Sequence, residues 1–324
     1  AVRAVVINSG QANACTGDEG MRNSRTTQEL VAGALGLEAS DILPASTGVI
    51  GAQLKMDLWE KAAPALAANL GKATPEDFAK AIMTTDAFHK ISHREVSLPG
   101  GVVRLVGMAK GAGMICPNMA TMLSVVLCDA QVEAPVWQKM LRDAVDLTFN
   151  RVTVDGDTST NDTLYGLANG ASGVPVSAAL TSVLGDLAYM LVKDGEGASK
   201  VARIHVTGAA SDADAERVAR TVGHSQLVKT ALYGRDANWG RIVAAVGRSG
   251  ADFNPDDVVV TLCGVELFRK GQPTDLDFDA LLEEPLKQRD LPIDIVLGSG
   301  SGSYTLLASD LGHEYVNVNA DYRS

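Results

Sequence analysis

A glycine-rich loop runs without a break into an apolar strand near the middle of this chain, and a threonine stands at the junction. The stretch reads KGAGMICPNMATMLSVVL over residues 110–127. Glycines and small residues permit strained backbone geometry, and the Leu and Val residues that follow favour a strand. A break between Ala120 and Thr121 would leave Thr121 as a new terminus at a strand start. We therefore predict a self-cleavage point at this bond.

An N-terminal threonine carries its own general base. Its α-amine, with a reference pKa of about 7.7–8.0, can take the proton from its own hydroxyl and so activate it as a nucleophile. Cleavage requires the Thr121 hydroxyl to attack the preceding carbonyl across a strained peptide bond. Threonine also favours strands for purely structural reasons. On the residues alone, an acyl-transfer nucleophile and a structural threonine both stay open.

Acyl transfer also needs an oxyanion hole. Residues 45–51, ASTGVIG, follow a strand-like segment and predict a turn. In that turn the hydroxyl of Thr47 precedes the unhindered N–H of Gly48. The alternative interpretation is an ordinary turn without a catalytic role.

Composition and charge exclude several classes of protein. The chain has 324 residues, with 28 Lys and Arg against 39 Asp and Glu, and it shows no basic run of the kind that binds nucleic acid. No apolar run approaches the roughly 18 residues of a membrane helix. The opening segment Val2–Ile7 lacks a basic flank, and we expect a strand there, not a signal peptide. Four scattered cysteines without a CxxC pair indicate a reducing, cytoplasmic setting.

Metal and cofactor motifs do not emerge from the sequence. The five histidines lack zinc-site spacing, and neither a dinucleotide fingerprint nor a P-loop occurs. The acidic stretch DGDTSTND over residues 155–162 resembles a calcium loop but lacks the closing glutamate. We expect a hydrogen-bonded structural loop there, and we expect no metal and no cofactor in the protein.

Runs of strands and clusters of helices follow one another along the chain. This order predicts layered α/β packing instead of a strict β-α-β alternation. We expect a first domain over residues 1–205 and a second, smaller α/β domain over residues 206–324. The last part of the chain is rich in predicted strands, the final one at Tyr315–Val318.

Motifs distributed over almost the whole chain carry a family resemblance. They stand at residues 8–14 (NSGQANA), 46–51 (STGVIG), 82–86 (IMTTD), 110–123 (KGAGMICPNMATML), 155–162 (DGDTSTND), 194–198 (DGEGA), 238–241 (NWGR) and 317–324 (NVNADYRS). In this content and order the sequence resembles the ornithine acetyltransferase family of arginine biosynthesis, which are glutamate N-acetyltransferases and often bifunctional.

The resemblance implies an α-β-β-α sandwich like that of N-terminal-nucleophile enzymes, with the smaller C-terminal α/β domain following it. It implies autoproteolysis into an α chain of residues 1–120 and a β chain of residues 121–324. It also implies that the two chains assemble as an α₂β₂ heterotetramer, and that the C-terminal tail returns to the active site.

The resemblance assigns roles to individual residues. It makes Thr121 the nucleophile, with Thr47 and Gly48 as the oxyanion hole. The substrate-binding positions that it implies are Thr84, Lys110, Thr121, Glu196, Asn319 and Ser324. A cation such as Lys110 suits the α-carboxylate of an amino-acid substrate, and an acid such as Glu196 suits an ammonium group.

The reaction implied is transfer of the acetyl group from N2-acetylornithine to glutamate by a ping-pong mechanism through an acetyl-Thr121 enzyme. Acetyl-CoA is a second candidate donor. Three alternatives stay open: an N-terminal-nucleophile aminopeptidase or amidase, an acetyltransferase of secondary metabolism with a shifted substrate, and a binding protein that never cleaves itself.

Overall fold

The computed structural model describes residues 2–116, 122–173 and 179–321. Within them the strands are β1 (Ala4–Gln11), β2 (Ile42–Val49), β3 (Lys90–Leu98), β4 (Gly101–Lys110), β5 (Leu123–Cys128), β6 (Val152–Thr153), β7 (Thr163–Ala168), β8 (Val201–Ala209), β9 (Val259–Leu262), β10 (Val265–Arg269), β11 (Gln272–Pro273), β12 (Asp290–Val296) and β13 (Gly302–Ser309). The helices are α1 (Gly17–Leu35), α2 (Met56–Ala68), α3 (Pro75–Ala81), α4 (Ala134–Leu147), α5 (Ala179–Lys193), α6 (Asp212–Gly223), α7 (Gln226–Tyr233), α8 (Trp239–Gly247), α9 (Phe278–Leu282) and α10 (His313–Asp321).

These strands form three sheets. β1 and β2 pair in parallel, a four-stranded sheet has the order β3-β4-β5-β7, and a seven-stranded sheet has the order β11-β10-β9-β12-β8-β13-β6. In the four-stranded sheet β4 runs antiparallel to both of its neighbours. Its last residue, Lys110, pairs with Leu123 at the start of β5, and Lys90 at the start of β3 pairs with Ala109.

The β1–β2 pair lies between two helices and the four-stranded sheet. Alternate side chains of a strand point to opposite faces. Val6 accordingly packs in the cluster formed with α1 and α2, while Val5 and Ile7 pack against Met108 and Val125 of the four-stranded sheet. Helix α3 contributes Ala79 to the same interface between the sheets.

Helices α4 and α5 cover the opposite face of the four-stranded sheet. Leu105 and Val126 of that sheet are buried together with Leu184 and Leu187 of α5. Gly107 of β4 lies directly under α5, where a β-carbon would press against the α5 side chains. The layers therefore follow the order α-β-β-α, which confirms the predicted fold class.

The seven-stranded sheet forms the largest apolar core. Ile204, Val206, Ile293 and Ile295 are almost fully buried there, and helices α6 and α8 contribute to the same cluster. The predicted boundary between residues 205 and 206 falls inside β8, whose whole length belongs to this sheet. The division into two domains stays a prediction.

Two local predictions were wrong. Tyr315–Val318 lies within helix α10, not in a strand. The segment 45–51 is not a turn throughout, because β2 continues to Val49 and the turn takes only residues 50 and 51. In the second case parallel pairing with β1 extends the strand. Among the described helices, none has the length and apolar character needed to cross a bilayer.

Candidate active site

Lys110 lies at the centre of a polar cluster between the two sheets of the sandwich. It ends β4 and is 8% exposed. Its ammonium Nζ donates to the hydroxyl of Thr84 at 2.6 Å and to the hydroxyl of Thr47 at 3.2 Å. Thr47 stands on β2, and Thr84 follows α3. Three residues far apart in the sequence therefore meet at one point.

The ammonium group of Lys110 is largely desolvated. Burial lowers the pKa of Lys110 below its ordinary value, and the carboxylate of Asp86 opposes that shift. Hydroxyl oxygens offer weaker partners to an ammonium than carboxylate oxygens do. A carboxylate ligand can therefore take the place of the threonine hydroxyls at Lys110.

Gly48 occupies a position that only glycine fits. Its φ of 128° lies in the region that side-chain-bearing residues avoid. A β-carbon there would also overlap the backbone of Gly10 on the paired strand. A backbone conformation that requires glycine therefore follows Thr47 within β2, and this glycine is also one reason that the sequence predicted a turn.

Glu196 lies on the other side of the loop that follows Lys110. Its backbone N–H donates to the carbonyl of Ala112 at 3.0 Å. Its carboxylate packs so closely on Gly113 that a β-carbon at Gly113 would overlap it. The amide of Asn319 donates to Glu196 Oε2 at 2.8 Å. Helix α10 thus brings the C-terminal part of the chain to the loop that leads into the predicted cleavage point.

The helical form of α10 explains the contact. In a helix, residues four apart share a face, and the Asn319 amide also donates to the carbonyl of Tyr315. The hydroxyl of Tyr315 reaches Asp155 at 3.4 Å. Tertiary contacts of these two residues therefore override the strand preference of the tyrosine and valines.

The residues Ala120, Thr121 and Ser324 lie outside the described residues. The described residues nearest to the first two are Cys116 on one side and Met122 on the other. Ile115 accepts a hydrogen bond from the backbone of Val154 at 2.6 Å. On the other side, the carbonyl of Met122 accepts from the backbone of Thr163 at 2.8 Å.

The loop after β6 and the first residue of β7 therefore contact the described chain on the two sides of the predicted cleavage point. Asp155 accepts the backbone N–H groups of Met114 and Ile115, at 2.6 and 2.9 Å, and the hydroxyl of Thr158 donates to the carbonyl of Cys116 at 2.9 Å. Met114 has a φ of 55°, a strained conformation for a residue with a side chain. The acidic loop thus has the structural role at its first residue that the sequence predicts.

Sequence reasoning missed three charged residues behind the site. Asp86 accepts the backbone N–H of Gly111, which follows Lys110, at 2.6 Å. Asp86 and Asp194 both contact the buried ammonium of Lys90. The signal was an aspartate four residues before a lysine, with both aspartates inside motifs of the resemblance, at residues 82–86 and 194–198. Within the described part of the chain, no cluster of three or more His, Cys, Asp or Glu residues is arranged to hold a metal.

Comparison with known proteins gives a consistent result. The ArgJ family matches residues 1–324. The arginine biosynthesis bifunctional protein ArgJ of Nitratidesulfovibrio vulgaris is 73% identical over 330 residues, covering 99% of this chain and 84% of that protein. The protein of the same name from Geobacter sulfurreducens is 47% identical over 333 residues, covering 99% of this chain and 85% of that protein.

A solved structure resembles part of the chain. The crystal structure of the arginine biosynthesis bifunctional protein ArgJ from Bacillus halodurans is 36% identical, with a TM-score of 0.57, over 60% of this chain and 96% of that chain. These matches confirm the predicted family and the prediction of a biosynthetic enzyme. The chain belongs to the ArgJ family.

Proposed function

We propose that this protein transfers the acetyl group of N2-acetylornithine to glutamate, as the family resemblance implies, within a reducing, cytoplasmic setting. The observation that carries the proposal is the cluster in which Lys110 donates to Thr47 and Thr84. It provides a desolvated cation beside the hydroxyl that the proposal assigns to the oxyanion hole. Glu196, held by Asn319, adds an acidic group across the adjoining loop.

The two charged groups match the two ends of the donor. The α-carboxylate of N2-acetylornithine binds Lys110, and its side-chain ammonium binds Glu196. The acetyl group branches from the carbon that carries the carboxylate, so its carbonyl then lies at the Lys110 end of the site, beside Thr47. Holding both ends of a flexible substrate supplies orientation, which is a large part of the rate gain in group transfer.

The chemistry follows from a threonine at a chain terminus. The α-amine of Thr121 takes the hydroxyl proton, and Oγ forms a bond to the acetyl carbon. The hydroxyl of Thr47 and the N–H of Gly48 stabilise the resulting oxyanion. The carbon–nitrogen bond then breaks, and ornithine leaves with the proton on its amine. The neutral amine of glutamate then attacks the acetyl ester, the Oγ–acetyl bond breaks, and the proton lost by that amine passes through the Thr121 amine to Oγ, which regenerates Thr121.

The proposal includes cleavage between Ala120 and Thr121 and the α₂β₂ assembly. The length of the Bacillus halodurans chain supports cleavage. Sixty per cent of 324 residues is about 194 residues, and these make up 96% of that chain, so that chain has about 200 residues. The predicted β chain, residues 121–324, has 204 residues. The remaining substrate-binding roles, those of Thr84 and Ser324, are part of the same proposal.

Intact mass spectrometry after incubation with N2-acetylornithine tests cleavage, nucleophile and reaction together. The expected result is two fragments, with one added acetyl group on the fragment that begins at Thr121. Thr121→Ala should give a single uncut chain of 33.8 kDa without transfer activity. Thr121→Ser, which keeps a hydroxyl beside the amine, is the matched control and should still be cut.

The acceptor distinguishes transfer from hydrolysis. With N2-acetylornithine alone the acetyl enzyme should accumulate, and glutamate should discharge it to N-acetylglutamate. Release of free acetate at the same rate with and without glutamate would identify an amidase instead. Acetyl-CoA is tested as donor in the same assay.

A further inference from the structure

A buried ion cluster lies directly behind the candidate active site. We define the Lys90 cluster as Lys90, Asp86 and Asp194. The Lys90 side chain is fully buried, and its ammonium contacts Asp86 Oδ1 at 2.6 Å and Asp194 Oδ2 at 2.5 Å. The two carboxylates are 0% and 3% exposed. The fold thus buries three ionisable groups at once.

Asp86 connects the Lys90 cluster to two site residues through the backbone. Its Oδ2 accepts the backbone N–H of Thr84 at 3.0 Å, and its Oδ1 accepts the backbone N–H of Gly111 at 2.6 Å. Gly111 follows Lys110 directly. One carboxylate therefore sets the position of both partners in the Lys110–Thr84 hydrogen bond.

Asp194 connects the same cluster to the acidic side of the site. It stands two residues before Glu196, in the turn after α5. Its Oδ2 accepts the backbone N–H of Ala87 at 3.1 Å, which belongs to the loop between α3 and β3. Lys90 thereby ties together the three chain segments that carry Thr84, Lys110 and Glu196.

Stability alone gives a weak reason for such an arrangement. Desolvation of buried ion pairs generally cancels most of their attraction, and apolar replacements are often as stable. The carboxylates of this cluster also orient the backbone, because each of them accepts a backbone N–H at a fixed place. Burial raises the pKa of Asp86, but Lys90 and Lys110 outweigh burial and hold the pKa of Asp86 below its usual range.

We propose that the Lys90 cluster is a positioning device for substrate binding. It fixes the distance between the cation at Lys110, which receives the donor carboxylate, and the acid at Glu196, which receives the donor ammonium. This inference rests on the proposed function. Lys90 itself touches no reacting atom, so it is a positioning residue.

The test is Lys90→Met, an apolar side chain of similar length, in the full chain, with kinetics measured on the cleaved protein. We expect kcat/KM for N2-acetylornithine to fall on the order of 10²-fold, as small displacements of binding groups do, and mainly through a higher KM. Arg94→Met is the matched control, because Arg94 lies on the same strand and pairs with Asp186 at the surface. This control should keep wild-type kinetics.

A substrate analogue separates positioning from general loosening. The wild-type enzyme should prefer N2-acetylornithine over its α-carboxamide, which lacks the charge that Lys110 binds. In Lys90→Met this preference should shrink, whereas a purely structural defect would lower both rates equally. Asp194→Asn, nearly the same shape, should change KM and preference in the same direction by less.

Three results would overturn the inference. They are an unchanged KM and preference in Lys90→Met, an equal loss for both substrates, and failure of both variants to fold, which would assign the cluster to stability. Failure of the proposed function is seen separately, as absence of acetyl transfer in the wild-type protein.

Discussion

Buried lysines in the seven-stranded sheet and in the four-stranded sheet are satisfied in different ways. Lys200, immediately before β8, donates to the three carbonyls of residues 286–288 at 2.7–3.1 Å. Lys229 on α7 donates to the carbonyls of Val154 and Ser309. Both lysines are 4% exposed. Backbone carbonyls of the fold itself hold both lysines, and the hydroxyl of Ser309 also accepts from Lys229 at 3.1 Å.

Lys110, at the end of β4, has two threonine hydroxyls as partners. Backbone carbonyls cannot leave a lysine without unfolding their segment, whereas a side-chain hydroxyl can turn away and let a ligand in. Burial lowers the pKa of Lys110 and of Lys229, to about 8 for Lys229. Desolvation alone therefore does not distinguish a functional lysine from a structural one. The backbone carbonyls that hold Lys200 and Lys229 set these two lysines apart from Lys110.

Lys110→Met should have the largest effect on catalysis. The substrate carboxylate would lose its charged partner in a buried place, which costs about 4 kcal/mol, so kcat/KM should fall about 10³-fold. The melting temperature should stay the same or rise, because a desolvated charge is removed. Steady-state kinetics and thermal unfolding measure both. A variant that unfolds while retaining kcat/KM in its folded fraction would place Lys110 with the structural lysines.

Thr47→Ala tests the hydroxyl next to that cation. Loss of one oxyanion-hole donor should lower kcat by ~10²–10³-fold with little change in KM. Ser46→Ala is the matched control: its hydroxyl donates to Asn8 on the paired strand, and its removal should leave kcat unchanged. Equal kcat values for the two variants would remove Thr47 from the oxyanion hole.

Lys200→Met should give the converse result. The buried carbonyl of Leu286 and the partly buried carbonyls of Lys287 and Gln288 would lose their donor, and an unsatisfied buried group costs about 1–3 kcal/mol. We expect the free energy of unfolding to fall by about 2 kcal/mol, measured by urea denaturation. The value of kcat/KM should remain that of the wild type. A large kinetic loss at full stability would contradict the division into structural and functional lysines.

The sequence predicted the layers of the fold better than it predicted the conformation of segments that depend on distant contacts. The apolar strand that ends at Cys128 follows from the local preference of its Leu and Val residues, and the structure contains it as β5. Local rules did not predict the helix at Tyr315. Its conformation depends on contacts with residues more than a hundred positions away.

The candidate site shows the same limit. The motifs identified Thr47, Lys110 and Glu196, and the structure brings them around one loop. They gave no role to Asp86 or Lys90, because a positioning residue is recognised by the backbone groups that it contacts, and those contacts exist only in the folded chain. The predicted roles themselves await the experiments above.

The smallest expected effect is on the pH dependence of kcat/KM, and it tests the role of Lys110. Besides burial, its pKa is affected by four charged residues: Asp86, Lys90, Glu196 and Asp162. The net result is a pKa below 10.5. Substrate binding needs the protonated ammonium, so kcat/KM should be complete below that pKa and be lost as the pH rises through it.

We expect the acid limb of the same profile to belong to the terminal amine that the proposed cleavage gives Thr121, because this amine must be neutral to act as base and has a reference pKa of about 8. Lys110→Arg keeps the charge but does not deprotonate in this range. The alkaline limb should therefore disappear in this variant while the acid limb stays, even if kcat/KM is lower at every pH. If the alkaline limb keeps its position in Lys110→Arg, that limb belongs to another group. The reason is that the guanidinium removes only the limb that arises from loss of the Lys110 proton.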